Sequence, residues 1–185
     1  MRQLLLLRHA KSSWDDPRLS DHARPLNARG RRAAMGMGAA MRDLGLAPDV
    51  VLVSSARRTL QTLEALGPIE GPPLIEPMDD LYLTTWTSLI GVLRRVPETA
   101  RSILLIGHNP GLHDLALALA GEDAMALETP LTRRLAAGYP TGTLTEFAVA
   151  LPWGHLEAGG ARLLRVLSPG DLPSAEAGDT ADTLA

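Results

Sequence analysis

Apolar residues along the chain fall into short uninterrupted runs, separated by longer stretches in which they recur about every third or fourth position. Leu4-Leu5-Leu6-Leu7, Val50-Val51-Leu52-Val53 and Ile103-Leu104-Leu105-Ile106 are bounded by polar or turn-forming residues. Runs this short suit strands buried on both faces, as in a parallel sheet covered by helices. The stretches between them read as helices. Ala33, Ala34, Met37, Ala40, Met41 and Leu44 predict one over 28–44, closed by Gly45 and Pro48. Ser54-Ser55 can cap a second, over 56–65, before Gly67-Pro68. Trp86, Leu89, Ile90 and Leu93 predict a third over 85–96, ended by Pro97, and a fourth follows over 112–120. Leu74-Ile75 marks a weak short strand leading to a turn at Asp79-Asp80.

The strand–loop–helix unit recurs three times. That alternation argues for a three-layer α/β domain, a central mostly parallel sheet flanked by helices. Residues 143–150 and 161–167 read as strands separated by the turn-rich 153–160, a late hairpin at one sheet edge. Residues 11–27 have no apolar period and form a long loop over the rim where the parallel strands end. From Ser168 the chain is rich in Pro, Gly, Ala and Asp, so the expectation is a catalytic domain over 1–167 and a flexible tail over 168–185.

Composition narrows the chemistry. The 185 residues are enough for one core, and zero cysteines remove disulfides, thiolate catalysis and thiolate metal ligands. No apolar stretch is long enough for a membrane span and no leader pattern opens the chain, so the expectation is a cytoplasmic protein with no membrane partner. A net charge of -3 gives no global attraction to nucleic acid, yet the positive charge is almost all arginine, Lys11 being the sole lysine. Arginine can clamp an oxyanion with two parallel donors.

Three of the predicted strands end on polar groups: Arg8-His9, then Ser54-Ser55 with Arg57-Arg58 one turn on, then Gly107-His108-Asn109. In an open parallel sheet, ligands bind beyond the carboxyl ends of the strands, so these groups converge on one rim. A neutral imidazole is a competent nucleophile toward phosphorus, and guanidinium groups stabilise the oxygens of a transferring phosphoryl group. The residues themselves therefore point to phosphoryl transfer.

At these positions the chain resembles the histidine phosphatase superfamily, with its phosphoglycerate mutase-like fold. Arg8-His9-Ala10 is similar to the family's opening Arg-His-Gly and to the variant found in small phosphohistidine phosphatases. Ser54, Arg58, Gln61 and Thr62 match the block Ser-x-x-x-Arg-x-x-Gln-Thr, which selects Arg58 over Arg57. Ile106-Gly107-His108 matches the third block, and Arg24-Pro25-Leu26-Asn27-x-x-Gly30 resembles the segment leading into the family's first helix.

The resemblance implies that His9 attacks phosphorus and carries it, while Arg8, Arg58 and His108 hold the phosphoryl oxygens and Arg24 contributes to substrate binding. Water then hydrolyses the phosphohistidine, with no cofactor and no metal. The implied partners are phosphate-like anions and a phosphorylated protein, since the chain is short for large specificity insertions; a small phosphomonoester or phosphosugar is the alternative. Two positions depart from the family. Asp15 stands where an asparagine often donates to phosphate, and the general acid is poorly marked, with Asp79 the best match and Asp80 its rival. Two other readings compete. One is a metal hydrolase built on His9, His22, His108 and His113, opposed by the surrounding arginines and the absence of a His-x-x-x-His pair. The other is a non-catalytic module that binds phosphoproteins through Arg8 and Arg58.

Overall fold

The computed structural model describes residues 1–173. Strands β1 (Arg2–Arg8), β2 (Val50–Ser54), β3 (Leu74–Met78), β4 (Ser102–Gly107), β5 (Leu144–Val149) and β6 (Ala161–Leu167) form one sheet in the order β3-β2-β4-β1-β5-β6. The first four are mutually parallel; β5 runs antiparallel to β1, and β6 antiparallel to β5. The expected hairpin is thus present, with β6 on the edge.

The helices are α1 (Ala28–Asp43), α2 (Arg57–Leu66), α3 (Trp86–Leu93), α4 (Gly111–Ala120), α5 (Glu122–Ala126) and α6 (Pro130–Ala137). Side-chain alternation along the central strands feeds both faces of the sheet. Leu5, Leu7, Val51, Val53, Leu104 and Ile106 pack with Met37, Met41 and Leu66 of α1 and α2. Leu4, Leu6, Leu52, Ile103 and Leu105 pack on the other side with Leu89, Leu93, Leu112, Leu115 and Leu135. This double burial is why the runs of β1, β2 and β4 lack polar alternation.

Local chemistry sets the helix ends. The Asn27 side chain accepts from Gly30 N at 2.7 Å, Thr85 caps α3, and Thr129 caps α6 with Pro130 in its first turn. Gly30 is required for close approach: a Cβ there would lie 2.1 Å from Lys11 O. The rim loop is therefore clamped onto α1 directly after the Arg8-His9 pair.

Two stretches differ from the sequence-based expectations. No element was expected over 121–142, where α5 and α6 stand; both are short, and α5 buries no residue. The expected tail begins too early at 168. Ser168 caps a single 3-10 turn, Pro169–Asp171, and Leu172 packs against the α1–α2 face of the core. The remainder of the expected tail lies outside the described residues. Among the described residues, no helix is long and apolar enough to cross a membrane.

Candidate active site

Arg8, Ser54, Gly107 and Met78 end the four parallel strands at one edge of the sheet. The register sets Arg8 beside Gly107, Val53 beside Ile106 and Ser54 beside Met78, so the residues that follow stand at one level. His9 is buried, and its Nδ1 lies 2.7 Å from Ala10 O. A carbonyl only accepts, so Nδ1 carries the proton and Nε2 keeps its lone pair. Burial first, and then the charges of Arg58, Arg8 and Arg24, lower the His9 pKa to about 4, against the opposing pull of the Ala10 carbonyl. The ring is therefore neutral near neutral pH.

His108 faces His9 with ring centroids 5.2 Å apart. Arg58 Nη2 donates to His108 Nδ1 at 3.3 Å, which leaves the His108 proton on Nε2, donated to Ser54 Oγ at 2.7 Å. Burial, followed by repulsion from His9 when both rings are protonated and by the charge of Arg58, lowers its pKa to about 3.

Arg58 is 3% exposed. Its Nη1 donates to Asp21 O at 2.7 Å and its Nη2 to Asp21 Oδ2 at 3.0 Å. Arg8 donates through Nη1 to Tyr139 O at 2.9 Å, while its buried Nε has no partner among the described residues. A buried donor left without an acceptor is costly unless a ligand supplies one. Arg8 also feels Arg58, since its pKa is lowered by burial and by that like charge. Cationic donors thus outnumber acceptors around His9, which suits a multiply charged oxyanion.

Other sequence-based candidates stand differently. Arg24 Nε donates to Ser13 O, Nη1 to Asp21 Oδ1 and Nη2 to Ser12 Oγ, and its guanidinium lies 3.2 Å from the centroid of the Trp14 ring. Each of its three nitrogens makes one bond within the rim loop, so Arg24 holds that loop beside the site while the second N–H of each Nη stays without a bond among the described residues. Asp79 accepts from Ser55 Oγ at 2.5 Å and makes no hydrogen bond to His9 or His108. Asp80 is exposed and lies 3.8 Å from Arg95. His113 donates to Leu135 O at 2.8 Å, and among the described residues no group of three or more His, Asp or Glu side chains is arranged to hold a metal ion. Asp15 is exposed.

Asp21 and Tyr82 belong to the site although nothing in the sequence singled them out. Tyr82 OH donates to Asp21 Oδ2 at 2.5 Å. That hydroxyl, then Arg24 and Arg58, hold the Asp21 pKa down to about 2. One acid in a loop with Asp15 and Asp16 nearby carried no distinguishing signal.

The model of the histidine phosphatase superfamily, branch 1, matches residues 4–82. The chain belongs to that superfamily, and the match supports a phosphatase. Within it the chain falls in the SixA-type branch: it is 30% identical to a candidate phosphohistidine phosphatase SixA from Nakamurella multipartitia, with a TM-score of 0.80 over 91% of this chain and 96% of that one. An uncharacterized protein of Mycobacterium tuberculosis is 35% identical over 161 residues, 85% of this chain and 96% of its own length. The fold is shared with a protein histidine phosphatase SixA solved with tungstate, at 23% identity and a TM-score of 0.73 over 91% of this chain and 98% of that one.

Proposed function

We propose that the protein removes the phosphoryl group from phosphohistidine in a protein substrate, through a covalent phosphohistidine on His9. The observation that carries this reading is the His9 tautomer: with Nδ1–H fixed on the Ala10 carbonyl, Nε2 is a neutral, buried nucleophile beside two guanidinium groups. His9 Nε2 forms a bond to phosphorus while the bond from phosphorus to the substrate nitrogen breaks. Arg8 Nε, which lacks an acceptor among the described residues, and the Arg58 guanidinium take the phosphoryl oxygens. A dianion arriving beside His108 favours its protonated form, opposite to the pull in the empty site, so the ring becomes a further donor. Water then attacks phosphorus and His9 departs as a neutral imidazole, its Nδ1 proton already in place. None of these steps calls on a metal or cofactor.

A protein substrate fits the open rim. Trp14 is 75% exposed beside Arg24, which contacts Asp21 and through it Arg58. The named SixA relative supports the substrate class, and the tungstate bound to a neighbour of the same fold is an oxyanion of similar charge and shape. The test is phosphate release from a phosphohistidine peptide, with orthovanadate as inhibitor. Turnover that vanadate suppresses and His9→Ala abolishes is expected. Turnover retained in His9→Ala refutes the nucleophile, and tight phosphopeptide binding without turnover makes the protein a binding module.

A further inference from the structure

A third imidazole on the rim is held in a chain of hydrogen bonds that the nucleophile and oxyanion donors do not use. Ser55 Oγ donates to Asp79 Oδ1 at 2.5 Å, and with its proton committed there the hydroxyl oxygen accepts from His22 Nε2 at 3.0 Å. The backbone is fixed as well, since Arg57 N, at the start of α2, donates to His22 O at 3.0 Å. The His22 ring meets Tyr82 edge-on at 4.8 Å between centroids, and Tyr82 meets His108 in the same way at 5.4 Å. His22, Tyr82 and His108 therefore line one wall in succession, from the exposed rim down to the phosphoryl site. A solvated loop histidine has no need of three anchors.

We infer that His22, oriented by Ser55 and Asp79, is the proton donor to the leaving group. The proposal rests on the phosphatase reading above. It also explains why Asp79, the position resembling the family's acid, is turned to Ser55: it fixes the hydroxyl that orients the ring, and the ring delivers the proton. In the cationic form Nε2–H stays on Ser55 Oγ, and Nδ1, which has no hydrogen-bond partner among the described residues, carries the transferable proton. As the substrate P–N bond breaks, its electron pair goes to the leaving ring, whose other nitrogen takes the proton from His22. In the second step the attacking water gives its proton to the neutral His22 ring, which restores the donor.

The test compares two small phosphoryl donors in mildly alkaline buffer. 1-Phosphoimidazole must gain a proton to leave as imidazole. 1-Phospho-3-methylimidazolium carries its positive charge permanently and leaves as neutral methylimidazole with no proton. Because kcat/KM reports the phosphorylation step, His22→Ala should lower it about 10²-fold for phosphoimidazole and leave the methylated donor within about threefold, the range expected for loss of a general acid. Ser55→Ala and Asp79→Asn should show the same selectivity to a smaller extent. Equal losses on both donors make His22 a structural residue and overturn the inference, as does no loss on either. If the wild type releases phosphate from neither donor, the phosphatase reading fails and this one falls with it.

Discussion

Asp21 grips Arg58 twice, through its backbone carbonyl at 2.7 Å and its carboxylate at 3.0 Å, and so both orients the guanidinium and shares its charge. The two roles separate by substitution. Asp21→Asn keeps the carbonyl and a side-chain oxygen but removes a negative charge next to the phosphoryl oxygens. Two charges about 4 Å apart interact by about 1 kcal/mol even when water screens them fully, so inorganic phosphate and vanadate should inhibit Asp21→Asn at least about fivefold more tightly. Unchanged inhibition constants would show that this carboxylate does not sense the anion.

Loss of an oxyanion donor acts in the opposite direction. Arg58→Ala and His108→Ala should each lower kcat/KM by about 10²-fold or more, the usual scale for removing one donor aimed at developing charge. Ser54→Ala should cost less, since it frees the His108 ring without removing it. The check is steady-state kinetics on a phosphohistidine peptide, and full activity in Arg58→Ala would place the phosphoryl group elsewhere.

The lowered pKa values of His9, about 4, and His108, about 3, make stability depend on pH. Both rings bind protons less readily when folded, so below the ordinary histidine value of 6.5 the unfolded chain takes up more protons than the native one. Their contribution is complete above that value and is lost progressively as pH falls toward the native values. Thermal unfolding should move to lower temperature between pH 7 and pH 4.5, as estimated from this linkage, and the movement should shrink in His9→Asn and in His108→Asn. An identical pH dependence in wild type and both variants would contradict the burial of neutral rings.

The strands carrying this chemistry were legible because β1, β2 and β4 are buried on both faces, which leaves a continuous apolar run that stops where the polar rim begins. β3 was faint for the opposite reason: it is an edge strand with exposed residues and includes Pro77. The helices α5 and α6 are too short to show a period. Within the site, Arg8, His9, Arg58 and His108 stood out because each ends or closely follows a strand. Asp21 did not, because its partner Tyr82 is 61 positions away and only the folded loop joins them. The loop contacts of Arg24 were illegible for the same reason, since its partners Ser12, Ser13 and Asp21 all lie within a loop that has no periodicity to read.

That loop depends on one backbone approach. A methyl group at Gly30 would collide with Lys11 O, so Gly30→Ala must push the rim loop off α1. Overpacking of this kind costs about 1–3 kcal/mol. The expected result is a lower urea midpoint together with reduced activity, because Lys11 is two residues from His9. Wild-type stability and activity in Gly30→Ala would show that the loop has slack.

The central claim, covalent catalysis on His9, is tested most directly by peptide mass after a rapid alkaline quench, with phosphoramidate as phosphoryl donor. An acid-labile phosphoryl group on the peptide containing His9, absent in His9→Ala, is the predicted result. Turnover with no such adduct, under conditions where phosphorylation outpaces hydrolysis, would contradict it and favour direct attack by water.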